Sequence, residues 1–295
     1  MIELSFDYLT GHFPRRPDNA HKGTMGTLCS ITGSCGFSGA AVLSAEAALR
    51  SGVGLHYQVI PEKIYPIFAS SVYESVCVPV RGNALGTVAP TDLDTILNTI
   101  DRACAVLIGC GTGNTSATAN VLRAVIRHSA VPVIIDADGI NALSLHKDIL
   151  RERRSPLILT PHVKEFSRLS GLSVADILAR QEETAEAFSK EHPDLVLVLK
   201  SHRTVIAENG VLYRNTAGNS GMAKGGSGDV LSGIIASLAA QGASPLQAAA
   251  MGVHIHALAG DAAADRFGKT AMLPSDIIDC LSDVYRRIEA AIAQN

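Results

Sequence analysis

The chain has no CxxC pair among its six cysteines, Cys29, Cys35, Cys77, Cys104, Cys110 and Cys280, which argues against a thioredoxin-type redox centre or a zinc ribbon. Most of these thiols fall in apolar runs, where cysteine acts as a small hydrophobe, and a reducing cytoplasm fits that usage. No Lys/Arg run stands above background, and 25 basic against 28 acidic residues leave a formal charge of −3. Such a balance offers no electrostatic footprint to nucleic acid, so none is expected as a partner. The N-terminal stretch, carrying Glu3 and Asp7, lacks the basic start and apolar core of a secretory signal. Repeats, low-complexity segments and linkers are also absent, so residues 1–295 are expected to form a single domain.

Charge is missing from one long stretch. Val230–Gly260 contains no Asp, Glu, Lys or Arg, and it exceeds the roughly 18 apolar residues that a membrane span requires. Yet Gly242-Ala243-Ser244-Pro245 divides it, Ser232, Ser237, Gln241, Gln247, His254 and His256 interrupt it, and Ala and Gly outnumber Leu and Ile. It predicts two small-residue helices packed in a core, with no membrane as partner.

What is present is a regular alternation. Strand-like runs recur at Thr27–Thr32, Leu55–Ile60, Ala105–Gly109, Pro132–Asp136, Pro156–Thr160, Leu195–Lys200 and Thr204–Ala207. Several are apolar without alternation, as in parallel strands buried on both faces. Helical candidates at Gly39–Ser51, Ser116–His128 and Val174–Glu191 lie between them. This order predicts a three-layer α/β fold with a mostly parallel central sheet. Asn209-Gly210 between Thr204–Ala207 and Val211–Arg214 supplies the positive-φ positions of a tight hairpin, so the sheet is expected to be mixed there and to end at that hairpin as its edge. Beyond Asp229 the pattern is helical, with Lys269–Pro274 as a loop and Ser275 capping a last helix.

Gly-rich loops follow several strands, at Gly33–Gly39, Gly109–Gly113 and Gly218–Gly228. In open parallel sheets ligands bind beyond the carboxyl ends of the strands, so several of these loops are expected to line one cleft. The segment Gly221–Asp229 precedes a helical run directly. Glycines there let main-chain N–H groups converge on an anion, and the helix N-terminus adds its partial positive charge, so phosphate is the natural guest. Asp229, in the first turn, can take a proton from an attacking hydroxyl or can simply cap the helix. Spacing alone leaves both uses open, since the segment is neither a Walker loop nor a dinucleotide GxGxxG.

Other candidates have plainer uses. His162, after Thr160-Pro161, fits a cap for the next helix, and Lys224 beside the glycines fits a mobile surface lysine. His254 and His256 are splayed apart on a helix and read as packing or polar positions. Asp136 and Asp138, at a strand end, have the chemistry to hold Mg2+ through water, or Asp138 can cap the helix entering at Asn141; a structural use is expected for both.

In combination these segments resemble a known family. Asn219–Asp229 is similar to the N-x-G-x-x-x-GG(S/T)GD motif of the ribokinase-like superfamily, and in particular of its NAD(P)H-hydrate dehydratases. His21–Gly26 resembles the HKGxxG opening of that branch, Gly36–Ala41 its loop before the first long helix, and Ala48–Gly54 the end of that helix. Asp136–Leu143, Leu159–Phe166 and Val198–Val205 are similar to its D-A-D-x-x-N-A-L, L-T-P-H-x-x-E-F and L-K-G-x-x-T-V segments. The likeness runs in order from about His21 to the C-terminal helices.

The resemblance implies a ribokinase-like fold and a lyase that uses ADP (or ATP). The implied reaction dehydrates the S epimer of hydrated NADH or NADPH, yielding AMP and phosphate. Carried over residue by residue, it makes Asp229 the catalytic base. It places Ala40, Gly111, His162 and Asp229 on the hydrated cofactor. Lys200, Ser201, His202, Arg203, Thr204 and Gly228 would hold the AMP portion, and Gly225, Gly226, Ser227 and Gly228, with Mg2+, would neutralise the transferring phosphoryl group. A homo-oligomer is also implied, with the epimerase that supplies the S form on a separate chain. The sequence departs from the family pattern at Ser201, where Gly is usual, at Cys110 in place of the Pro of GPG, at Gly139 and at Ser227. The rival readings are a ribokinase-like kinase of a vitamin-precursor alcohol such as hydroxyethylthiazole and a catalytically silent nucleotide-binding protein. HKGxxG and L-T-P-H favour the dehydratase over the first, and intact Asp229 disfavours the second.

Overall fold

The computed structural model describes residues 1–294. The N-terminal half contains β1 (Ile2–Glu3), α1 (Phe6–His12), β2 (Thr27–Ile31), α2 (Ser38–Arg50), β3 (Leu55–Pro61), α3 (Tyr65–Ala69), β4 (Val76–Val80), α4 (Leu93–Ile100), β5 (Ala105–Ile108) and α5 (Ser116–His128). There follow β6 (Val133–Ile135), α6 (Asp138–Leu145), β7 (Leu157–Leu159), α7 (Val163–Ser170), α8 (Val174–Ala179), α9 (Gln181–Glu191), β8 (Leu195–Leu199), β9 (Val205–Glu208) and β10 (Val211–Arg214). Three helices close the chain: α10 (Ser227–Ala240), α11 (Pro245–Phe267) and α12 (Pro274–Ala293).

The strands form one sheet in the order β1-β10-β9-β8-β7-β6-β5-β2-β3-β4. Only β9 opposes the common direction, being antiparallel to both β8 and β10. Every residue of β5, β6, β7 and β8 is buried, as unalternating apolar runs require when helices cover both faces. One core holds residues of α2, α10, α11 and α12 against the sheet; the other lies beneath α4 to α7 and α9. After β2 the chain builds β3 and β4 on one side and then returns to build β5 on the other. The crevice between the β2 and β5 exits is therefore the topological switch point, where such sheets bind ligands.

The uncharged stretch becomes α10 and most of α11, buried as expected. Its small residues permit close approach: a Cβ on Gly233 would collide with the Ser44 carbonyl of α2, and one on Gly252 would lie 2.5 Å from Ile235 Cγ1. No helix among the described residues is long and apolar enough to cross a membrane.

Four local expectations need correction. The helix predicted over Val174–Glu191 breaks at Arg180, whose φ of −138° and ψ of 51° are not helical. The break frees the Gln181 amide to donate to Leu199 O, Ser201 Oγ and Arg203 O, bracing the β8–β9 turn. Ser275 does not cap α12; the helix starts at Pro274, and Asp276 accepts from the Leu273 N–H at 2.7 Å. Asp138 does not cap α6 but lies within it and accepts from the Gly113 N–H at 2.8 Å, fixing the loop after β5. The hairpin does not end the sheet, because β1 pairs parallel beyond β10. That strand is too short for periodicity to show, and β4 also escapes notice because Pro79 interrupts it, as only an edge strand tolerates.

Candidate active site

The carboxyl ends of β6, β7 and β8 deliver Asp136, His162 and Lys200 to one rim. Asp136 is 1% exposed and fully engaged: Lys200 Nζ lies 2.9 Å from its Oδ1, and Ser232 Oγ donates to its Oδ2 at 2.6 Å. Ser232 lies one turn beyond Asp229 on α10, so this bond sets that helix's N-terminus against β6. Burial works against the Lys200 charge, but Asp136 and Glu165 outweigh it and raise the pKa above the usual lysine value. The site thus carries a fixed cation in an ion pair whose carboxylate is buried and whose ammonium is partly exposed.

The glycine loop is held from behind. Asp261 on α11 accepts from the Gly218 N–H and the Asn219 amide, each at 2.9 Å, and Asn219 Oδ1 accepts from the Gly221 N–H. Lys224 is not mobile: its ammonium donates to the carbonyls of Thr270 and Met272 at 2.7 and 2.6 Å. Gly226, at φ 101°, leads into α10, whose N-terminus has no side-chain cap. A Cβ on Gly225 would meet nothing within 4 Å, and one on Gly228 would lie 3.2 Å from Lys200 Nζ. The glycines leave this stretch of the wall largely free of side chains, the condition under which main-chain amides can hold a phosphate.

Asp229 does not cap α10. Burial lifts its carboxyl to a pKa of about 7, the charge of Asp136 adds to the rise, and Cys110 and Lys200 oppose it. Such a carboxylate is poised to accept a proton near neutral pH. Cys110, Asp136 and Asp229 bring their ligand atoms within 4.8 Å of one another. That set is no cage for Mg2+, since a thiol is a soft donor and both Asp136 oxygens are engaged.

A cavity of about 850 Å³ unites most of the expected residues: His162, Lys200, Ser201, His202, Thr204 and Gly225–Asp229. Arg203 shares the β8–β9 turn but lies outside the cavity wall. Ala40 and Gly111 are also outside it, at the switch point, where a Cβ on Gly111 would lie 2.8 Å from that of Ala40. The loops after β2 and β5 meet there: Gly33 N–H donates to Cys110 O at 2.8 Å, and Ser34 Oγ to Gly111 O at 2.7 Å. Asp229 stands between the two regions, lining the cavity while its carboxyl lies against Cys110, next to Gly111.

Residues 28–283 match the sequence profile of a family described as NAD(P)H-hydrate dehydratase. The chain belongs to the NAD(P)H-hydrate dehydratase family. It is 38% identical over 290 residues to the bifunctional NAD(P)H-hydrate repair enzyme of Moorella thermoacetica, covering 98% of this chain and 54% of that one. It is 35% identical over 265 residues to the ADP-dependent (S)-NAD(P)H-hydrate dehydratase of Neisseria meningitidis serogroup B, covering 88% and 85%. The chain therefore spans about half the length of the bifunctional relatives it matches. Its structure superposes with a TM-score of 0.82 on the ADP/ATP-dependent NAD(P)H-hydrate dehydratase of Bacillus subtilis co-crystallised with ATP and Mg2+, at 27% identity and covering 97% and 98% of the two chains. The fold is ribokinase-like, as the motifs implied.

Within this dehydratase-family site His162 has two faces. It does cap α7, its Nδ1 accepting from the N–H groups of Lys164 and Glu165 at 3.1 and 3.2 Å. That assigns the proton to Nε2 on the opposite edge of a ring that lines the cavity, and burial lowers its pKa, with Lys200 and Arg168 adding to the fall. Sequence reasoning missed His256, Asn215, Met222, Leu231 and Val253, all of which line the same cavity. Met222 lies within the motif and Leu231 just past it, but nothing in the spacing of Asn215, Val253 or His256 marks them, and the last two reach the site through the tertiary packing of α11. Ser201, where the family has Gly, turns its hydroxyl away to Gln181 Oε1 at 3.1 Å.

Proposed function

We propose that this chain catalyses ADP-dependent dehydration of the S epimer of hydrated NADH or NADPH, acting as a carbon–oxygen lyase. The observation that carries the reading is the place of Asp229, a carboxylate with a pKa of about 7 set between a glycine-walled cavity and the switch-point crevice. The phosphates of ADP occupy Gly225–Gly228, with AMP extending along Lys200–Thr204. The hydrated nicotinamide lies against Ala40, Gly111 and His162 with its hydroxyl toward Asp229. Family membership and the likeness to the Neisseria and Bacillus enzymes support both the substrate and the nucleotide.

Asp229 accepts the hydroxyl proton as that oxygen takes the β-phosphoryl group, and AMP is released. Phosphate then departs with the carbon–oxygen bond electrons, driven by the ring-nitrogen lone pair, and the adjacent ring carbon gives up a proton to restore the reduced ring. A poor leaving group has become a good one. The loop amides and the Lys200 ammonium stabilise charge on the phosphoryl oxygens, since phosphoryl transfer depends chiefly on positioning and electrostatics. Mg2+, when bound with the nucleotide, would supply further charge neutralisation to the transferring phosphoryl group. A cytoplasmic setting, a homo-oligomer and supply of the S form by an epimerase complete the reading; free thiols at all six cysteines fit the first.

The test is a coupled assay. Purified protein with ADP and Mg2+ should restore the absorbance of NADH from its hydrated S form, while thiazole and pyrimidine alcohols with ATP should give no phosphorylated product. Absence of dehydration with ADP and with ATP overturns the proposal.

A further inference from the structure

Six buried side-chain nitrogen or oxygen atoms have no hydrogen-bond partner among the described residues. Two of them, Ser227 Oγ and His256 Nε2, belong to residues lining the same cavity. Ser227 opens α10 inside the glycine loop, His256 lies on α11, and each is only 8% exposed. The imidazole lies close to the Ser227 main chain, while Nε2 and Oγ do not bond to each other in this structure. Folded proteins satisfy nearly all such buried groups, so two orphans in one ligand cavity mark a contact completed when the cavity fills. The neighbouring histidine shows the contrast, since His254 Nδ1 already meets Asn215 Oδ1 at 2.7 Å.

We infer that His256 is a positioning residue for phosphoryl transfer: its Nε2–H donates to the Ser227 hydroxyl, which in turn donates to a phosphoryl oxygen seated in Gly225–Gly228. This rests on reading the cavity as the nucleotide site. A serine hydroxyl has one proton and two lone pairs, and by itself it can turn toward main-chain carbonyls of the loop that precedes α10. An N–H on one lone pair leaves its proton directed at the anion. Burial, reinforced by Lys200, holds the His256 pKa down at about 4, so the ring is neutral at pH 7 and keeps one donor and one acceptor. Positive charge comes from Lys200, and His256 supplies direction. No bond forms or breaks in this arrangement.

A double-mutant cycle tests the pair. ADP dissociation constants by titration calorimetry, dehydratase kcat and KM, and melting temperature are measured for wild type, Ser227→Ala, His256→Leu and the double variant. Each single change should weaken ADP binding and lower kcat by about fivefold to tenfold, the worth of one hydrogen bond. The double variant should be no worse than Ser227→Ala alone, because the two groups act in series. His256→Gln, whose amide N–H reaches the place of Nε2, should recover most of the loss. Additive losses, wild-type ADP affinity in His256→Leu, or a Gln variant as poor as Leu would overturn the inference. If the wild type binds ADP but does not dehydrate hydrated NADH, the dehydratase reading falls while coupling in ADP affinity still decides the pair.

Discussion

At the scale of single residues, the site places two carboxylates in one pocket and gives them opposite circumstances. Asp136 is paired with Lys200 and Ser232, whereas Asp229 is half-buried with no cation paired to it and rises to a pKa of about 7. As a base Asp229 must be ionised, so kcat/KM should climb with unit slope as pH rises toward about 7 and then level off. Asp229→Asn should lower kcat by roughly 10²–10⁴-fold and abolish that limb while sparing ADP affinity. Stability should move the other way. An acid whose pKa rises on folding makes the native state lose stability as pH climbs from about 4 to 7. The Asn variant should therefore melt above wild type at pH 8, by the equivalent of roughly 2–4 kcal/mol, and match it near pH 4. Scanning calorimetry at the two pH values checks this; equal melting at pH 8 would show that burial does not strain the carboxylate. Lys200→Met should cost about 3–5 kcal/mol in denaturant unfolding, because it leaves the 1%-exposed Asp136 charge without its partner.

At the scale of elements, the glycine loop and α10 use glycine for different reasons, and substitution should separate them. Gly225 faces open cavity, and a Cβ there meets no protein atom within 4 Å. Gly225→Ala should leave the urea midpoint nearly unchanged but weaken ADP binding by tenfold or more, since the methyl occupies space where a phosphate approaches the amides. Gly233→Ala should do the reverse, because its methyl would collide with the Ser44 carbonyl where α10 crosses α2. A loss of about 1–3 kcal/mol in folding stability is expected there, typical of overpacking. If Gly225→Ala binds ADP as well as wild type, the loop does not cradle the phosphates. The break at Arg180 belongs to this scale too: periodicity over Val174–Glu191 reads as helical throughout, and the structure divides it where Gln181 reaches the β8–β9 turn.

At the scale of the whole molecule, the cavity joins residues from β6, β8, α7, α10 and α11, so filling it should brace both faces of the sheet at once. ADP at a hundred times its dissociation constant should add about 2.7 kcal/mol of stability, raising the melting temperature by about 4–5 °C. No shift with ADP or ATP would remove the nucleotide site from this cavity. The order of strands and helices, the buried character of Val230–Gly260 and the glycine loop before α10 were legible in sequence, because each rests on local periodicity or on a run of adjacent residues. Short β1, the Pro-bearing β4 and the true partners of Asp138 and Lys224 were not, since no local pattern records which distant atom a side chain meets. The sequence alone determined the sheet's mostly parallel character and the segments that carry phosphate-binding and acid–base groups. Tertiary structure decided that Asp136 would be neutralised by Lys200 while Asp229 would not, and that His256, on a helix read as plain packing, would enter the cavity. The reason is physical: burial and charge at a carboxylate or an imidazole depend on elements brought together from across the sheet, over separations at which sequence spacing carries no signal.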